Sequence, residues 1–219
     1  MSAGKKETLK TIAYNKIKKK ILTCEYPPNS FLHESELIAE TGASRTPIRE
    51  ALNRLEQENL VVILPKKGVM VSHLSPSEMS NILEVRLLIE PYLLSTYGSS
   101  LSEPLLKKLR QKMIHCHEKG DHSGIYTADD SLHKMIIDAS NNPFFIDYMQ
   151  TIYDQLFRIR NISMYTEQNM TDTVEEHVAI IDQILDAQIE KACITLTAHL
   201  KRAYQSYLET LLKFPQQTP

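Results

Sequence analysis

The stretch ESELIAETGASRTPIREALNRLEQENLVVILPKKGVMV, Glu34 to Val71, changes its hydrophobic period part-way along. Ile48, Ala51, Leu52 and Leu55 fall at steps of three, one and three, which places them on one face of a helix. Thr46 is expected as the N-cap of that helix and Pro47 as its first residue, a pair suited to a helix start. A shorter helix is expected before it, over Glu34 to Glu40, stopped by Gly42. After it, Leu60 to Leu64 and Val69 to Ser72 flank Pro65-Lys66-Lys67-Gly68, which predicts a β-hairpin with glycine at its tip. Upstream, Leu9, Ile12, Ile17 and Ile21 stand among lysines and predict an amphipathic helix over 8–22, ended by Tyr26-Pro27-Pro28. Three helices and a two-stranded hairpin, in that order, make a winged helix-turn-helix.

From Ser75-Pro76 onward the strand signals vanish. The remainder reads as amphipathic helices near 76–97, 104–119, 122–140, 144–166, 172–187 and 189–213. They are separated by punctuation at Gly98 to Pro104, Gly120 to Gly124, Asn141 to Pro143 and Gln168 to Thr171. Short connections imply an antiparallel bundle. The expected fold is therefore mainly α, with a winged helix-turn-helix over 1–74 and an all-α helical domain over 75–219.

Composition agrees with this division. The 219 residues are 42% apolar and 24% charged, enough to bury a sizeable core. No apolar run approaches the length of a membrane span or a secretory signal, so a cytoplasmic protein with no membrane partner is expected. Cys24, Cys116 and Cys193 are far apart and lack paired CxxC spacing, and they read as reduced core thiols. Six glycines, with neither GxGxxG nor GKS/GKT among them, argue against a phosphate-cradling loop. Through His73 there are 12 Lys and Arg against 8 Asp and Glu, and from Leu74 onward 13 against 19. A basic head on an acidic body suggests a polyanionic partner for the first part alone.

On the third helix Arg45, Arg49 and Asn53 are spaced by four and lie on one side, off the apolar face. Arginine there can fork onto guanine or phosphate, and the helix N-terminus adds amide donors for phosphate oxygens. A solvated basic face is the ordinary alternative for such a pair. Its place behind a short helix, and before a hairpin carrying Lys66 and Lys67, favours double-stranded DNA. The stretch also resembles the DNA-binding domain of GntR-family bacterial transcriptional regulators, through SRTPIREAL, a following LE…LV segment and a P…G wing. The resemblance implies that Arg45, Thr46 and Arg49 contact operator DNA and that Gly68 lets the wing approach the minor groove. Cys24, Asn29 and Asn59 stand where that family usually or often has glycine. Asparagine tolerates positive φ, so Cys24 is the position at which a turn has room to differ.

In the acidic body Asp129 and His133 are four apart on the face shared with Ile136 and Ile137. A carboxylate and an imidazole so spaced can bind one cation together. His177 lies on the stripe of Ile180, Ile181 and Ile184, and His199 on that of Leu196, Ala203 and Tyr207, so both face inward. A single inward histidine is more often a satisfied core residue than a ligand. Three of them with one carboxylate, from three helices, make that explanation harder to hold. His115, His117 and His122, near a helix end and a glycine-rich turn, are read as surface residues.

This second part resembles the all-helical effector domain of the FadR-like branch of GntR regulators. The resemblance rests on EVRLLIEPYLLSTYG, DDSLHKMIIDASNNPFF and EEHVAIIDQIL with a late histidine. It implies a divalent metal held by Asp129, His133, His177 and His199, with a small carboxylate effector completing its coordination. Mixed nitrogen and oxygen donors put zinc first and leave nickel, manganese and iron compatible.

Arg86 and Arg160 lie on apolar stripes, and an inward guanidinium needs a counter-charge from the protein or from a ligand. Arg86 can pair with Glu90 and Arg160 with Asp154, or either can hold the effector; Asn142 is a further candidate at a helix junction. The function expected is a metal-containing, effector-responsive transcriptional regulator acting as a homodimer, because paired half-sites raise specificity. A metal-dependent hydrolase and an architectural DNA-binding protein are the alternatives. The first lacks a convincing general base beside the ligands, and the second predicts no ligand-dependent change in DNA affinity.

Overall fold

The structure is a computed structural model describing residues 8–73, 75–162 and 167–213. Among these residues nine α-helices accompany one small sheet, and the chain divides into two units.

The first unit contains α1 (Leu9–Leu22), β1 (Phe31–Leu32), α2 (Glu34–Thr41), α3 (Arg45–Gln57), β2 (Val61–Leu64) and β3 (Gly68–Val71). Strands β2 and β3 form the expected hairpin, antiparallel, with Val61 opposite Val71 and Leu64 opposite Gly68. The sheet has a third strand, because β1 adds to the other edge of β3. Two residues are too few to show a period of two, so β1 left no mark in the sequence pattern. The core gathers Ile48, Ala51, Leu52 and Leu55 of α3 with Ile17 and Ile21 of α1, Leu37 of α2 and Val61, Val69 and Val71 of the sheet. On α1 the buried face is Ala13, Tyr14, Ile17 and Ile21, whereas Leu9 and Ile12 are exposed.

Helix α3 starts two residues earlier than its sequence suggests. Its N-cap is Ser44, with extended φ and ψ, so Arg45 and Thr46 are helical and Thr46 is not the cap. Pro47 is then the third helical residue, still within the first turn, where a missing N–H deprives no intrahelical bond. Cys24, Asn29 and Asn59 have φ of 56°, 67° and 58°. The turn at Cys24 therefore keeps the left-handed geometry despite its side chain. Of the three thiols only Cys116 is buried; Cys24 and Cys193 are half-buried, and all three are free.

The second unit contains α4 (Pro76–Tyr97), α5 (Glu103–Glu118), α6 (His122–Asp138), the first part of α7 (Pro143–Ile162) as far as Tyr153, α8 (Glu167–Leu185) and α9 (Ile189–Lys213). The rest of α7, Asp154–Ile162, clusters with the first unit. Helix α4 opens with a capping box, in which the Glu78 amide donates to Ser75 Oγ and the Ser75 amide to Glu78 Oε2. The Asp121 side chain caps α6 by accepting the Gly124 amide. The core of this unit includes Met79, Ile82, Leu93 and Leu94 of α4, Leu132 and Ile136 of α6, Ile180 and Ile181 of α8, and Leu196 and Leu200 of α9.

Most helix limits fall within two residues of expectation. The exception is α8, which already runs through the break expected at Gln168 to Thr171. That segment is polar but holds neither glycine nor proline, so nothing in it blocks a helix, and Asn169 donates to Ser206 Oγ across to α9. The expected end of the preceding helix, 163–166, lies outside the described residues. No helix among the described residues is long and apolar enough to cross a membrane.

Glu58, at the end of α3, ties the first unit together. Its carboxylate accepts from Tyr14 Oη at 2.7 Å, Lys18 Nζ at 2.7 Å and Arg54 Nε at 3.1 Å. Burial alone would raise this carboxyl, but the bonds from Lys18 and Tyr14 hold it below its ordinary value of 4.5. A depressed carboxyl stabilises the fold above its unfolded pKa and loses that contribution as pH falls. Glu58→Gln should therefore destabilise the protein at pH 7 by about 1–3 kcal/mol, read from urea unfolding. The gap from wild type should narrow as pH drops below 4.5.

Candidate metal centre and DNA-reading helix

Helix α6 presents Asp129 and His133 one turn apart, α8 presents His177, and α9 presents His199. All four are buried, and one ligand atom from each can be chosen so that the four lie within 4.8 Å of one another. His177 Nε2 is 2.9 Å from Asp129 Oδ1 and 3.3 Å from His133 Nε2, and His199 Nε2 is 3.9 Å from the same Asp129 oxygen. Each imidazole turns its other nitrogen to an acceptor. His133 Nδ1 meets Glu90 Oε2 at 2.6 Å, His177 Nδ1 meets the Thr173 carbonyl at 2.7 Å, and His199 Nδ1 meets Glu176 Oε2 at 2.7 Å.

Those outer partners decide the chemistry. A carbonyl or carboxylate can only accept, so each Nδ1 carries a proton, and each ring when neutral turns an Nε2 lone pair toward its neighbours. Three lone pairs and one carboxylate converging in a buried space form a donor set that fits a divalent cation. Burial, with His177 beside it, pushes His199 down to about 3, so this imidazole is neutral and competent to ligate. His133 goes the other way. Burial opposes its charge, but Glu90 outweighs that and raises it, so proton and metal compete for its Nε2.

The two carboxylates are anchored in turn. Glu90 accepts Arg86 Nε at 2.5 Å and Tyr153 Oη at 3.2 Å, while Glu176 accepts Arg202 Nε at 2.6 Å. Both are held down to about 2: burial opposes their charge, Arg86 lowers Glu90, and His199 with Arg202 lowers Glu176. Arg86 thus has the Glu90 pairing open to it in the sequence, and its Nη2 also lies 3.2 Å from His133 Nδ1. Asn142 accepts the Phe144 amide through Oδ1 at the start of α7. Arg160 is buried on the part of α7 that belongs to the first unit, so it does not join the cluster's own unit. Sequence reasoning missed Glu176, Arg202 and Tyr153. Arg202 follows His199 by three on the same helical face, the one signal that was available. His115 and His122 are exposed and His117 is half-buried.

In the first unit Arg45, Thr46, Arg49 and Asn53 are exposed on α3. Arg49 Nε donates to Glu34 Oε1 of α2 at 2.8 Å, and its Nη2 to Oε2 at 3.3 Å, a fork that fixes the guanidinium above the helix surface. Lys66, Lys67 and Gly68 form the exposed wing tip, with φ of 65° at Lys66 and 114° at Gly68. Gly68 sits where a side chain would strain the backbone.

Residues 9–71 match the model of the bacterial regulatory proteins of the gntR family, and residues 81–202 match that of the FCD domain. The chain belongs to the gntR family and carries an FCD domain. This GntR protein is 27% identical over 192 residues to an HTH-type transcriptional regulator of Streptomyces ambofaciens, covering 87% of this chain and 81% of that one. Its fold is similar to that of a GntR regulator from Rhodococcus sp. RHA1, with a TM-score of 0.78 at 17% identity, covering 91% of this chain and 97% of the other. It is also similar to the Zn2+-bound FCD domain of the regulator TM0439, with a TM-score of 0.54 at 21% identity over 67% of this chain and all of that domain. The GntR chain is thus a DNA-binding transcription regulator built as a winged helix-turn-helix and a helical FCD domain.

The Arg49 fork generates a paired expectation for the GntR head. Arg49→Ala should abolish preference for operator over random duplex while the far-ultraviolet circular dichroism stays unchanged. Lys67→Ala should instead weaken all sequences alike and reduce the salt slope by about one unit. Fluorescence anisotropy on operator and scrambled duplexes across a salt series measures both.

Proposed function

We propose that this GntR regulator is a homodimer whose operator affinity is set by a small carboxylate bound at a divalent metal in the FCD domain. The observation that carries the reading is the buried convergence of Asp129, His133, His177 and His199, with every imidazole turned by an acceptor behind it. Asp129, His133, His177 and His199 would hold the metal, and the metal when bound supplies a Lewis-acidic position for an anion. Zinc is the first choice, with nickel, manganese and iron fitting the same donors.

Charge balance supports an anionic effector. Glu90 is offset by Arg86 and Glu176 by Arg202, so a dication facing only Asp129 leaves one positive charge in a buried space. A carboxylate of two to six carbons is the natural complement, and Arg86, whose Nη2 lies 3.2 Å from His133 Nδ1, is the candidate for a second contact. Arg45, Thr46, Arg49, Lys66, Lys67 and Gly68 face operator DNA in this reading, and a two-fold dimer presents two such heads to a palindromic site. Hydrolysis fits less well, because Glu90 and Glu176 are each engaged by an imidazole and an arginine and neither is left to act as a general base.

Native mass spectrometry of the purified protein should show a dimer with about one divalent metal per chain. Because a proton and the metal compete for His133, whose protonated form Glu90 favours, metal should be lost progressively as pH falls through the imidazole range. Calorimetric titration of small mono-, di- and tricarboxylates into metal-loaded protein should find a binder that His177→Ala abolishes. That acid should change operator affinity by about 5- to 150-fold. A protein that takes up no zinc, nickel or manganese, or an acid that binds equally well to His177→Ala, would overturn the proposal.

A further inference from the structure

Two helices of the second unit adjoin a boundary between the units along the chain: α4 follows one, and α7 runs through the other. Helix α4 begins at Pro76, just past the end of the first unit's N-terminal segment, and α7 leaves the second unit between Tyr153 and Asp154. Both have a side chain on one buried carboxylate. Glu90 belongs to α4 and is wholly buried; its Oε1 accepts Tyr153 Oη of α7 at 3.2 Å and Arg86 Nε of α4 at 2.5 Å. Its Oε2 accepts His133 Nδ1 of α6 at 2.6 Å. The other outer carboxylate, Glu176, differs in this respect. It lies on α8 and, among the described residues, its side-chain bonds go to His199 and Arg202 of α9, and neither of these helices adjoins the chain boundary at Leu74 or at Tyr153.

We infer that Glu90 is a positioning residue with two duties: it orients His133 for the metal, and it transmits occupancy of the metal site to α4 and α7. The inference rests on the metal-centred reading above. A cation on His133 Nε2 withdraws electron density from the ring and makes Nδ1–H a stronger donor to Oε2. Charge drawn toward Oε2 weakens Oε1 as an acceptor, and its weakest partner is the Tyr153 hydroxyl at 3.2 Å. The Tyr153 bond thus differs in strength between loaded and empty protein, and a contact of differing strength is what shifts a conformational equilibrium. Tyr153 is the last residue of α7 in the second unit, and the next residue, Asp154, already holds Lys18 of α1 at 2.6 Å within the first.

The two outer carboxylates make an internal control. Zinc affinity by chelator competition, and operator affinity with and without zinc, would be measured on full-length wild type, Glu90→Gln, Glu176→Gln and Tyr153→Phe. Both glutamine variants should bind zinc about 10- to 100-fold more weakly. At saturating zinc, Glu176→Gln should keep the wild-type ratio of operator affinities between zinc-loaded and chelated protein, and Glu90→Gln should bring it toward one. Tyr153→Phe loses only a hydroxyl. It should keep zinc affinity within about threefold and still lose most of the ratio, the loss of one hydrogen bond to a charged carboxylate being enough for such a change. A wild type that binds no zinc overturns the metal reading itself. A wild type that binds zinc with no change in operator affinity overturns the transmission alone, and so do Tyr153→Phe and Glu90→Gln variants that keep the wild-type ratio.

Discussion

A buried imidazole has two nitrogens and only one proton when neutral, so in a helical interior one must find an acceptor and the other a donor, a proton or a metal. That constraint organises the whole second unit. Three such rings, from α6, α8 and α9, find their acceptors outward and therefore turn their lone pairs inward on Asp129. The acceptors come from α4 and α8, which draws α4 to the cluster although it contributes no ligand. Leu132 and Ile136 of α6 and Ile180 and Ile181 of α8 are buried along with the cluster, and such an apolar interior strengthens each of these bonds.

At the other end of the chain the governing requirement is rigidity under exposure. Arg49 reaches into solvent, and an exposed guanidinium left free would lose much rotamer entropy on binding any partner. Glu34 of α2 holds Arg49 of α3 in a fork that orders it in the free protein. The wing tip is shaped through its backbone, with positive φ at Lys66 and Gly68 on either side of Lys67.

Much of this was legible in the residues alone. The steps of Ile48, Ala51, Leu52 and Leu55 marked α3, and the hairpin signals around Gly68 marked the wing, because both rest on periods local to a dozen residues. The inward positions of Asp129, His133, His177 and His199 followed from their apolar stripes in the same way. What was not legible depends on partners distant in sequence. Strand β1 exists only because β3 offers it an edge, and the start of α8 at Glu167 is supported by Asn169 reaching Ser206. Glu176 was hidden beside His177 because adjacent helical residues point different ways, and it serves His199 rather than its neighbour. Pro47 misled because proline suits several positions of the first turn, not the first alone.

Arg86 and Glu90 sit one turn apart on α4, both buried, and this restricts how the protein can change over generations. Loss of either charge by a single substitution strands the other in the interior, at about 3–5 kcal/mol against a total stability of roughly 5–15 kcal/mol. Exchange of the two residues is closed as well, since it would take from the Nδ1–H of His133 the carboxylate that accepts it and put a donor in its place. Descendants of this chain can therefore leave the pair only by replacing both residues in step, and those that do must find another acceptor for His133 at the same moment.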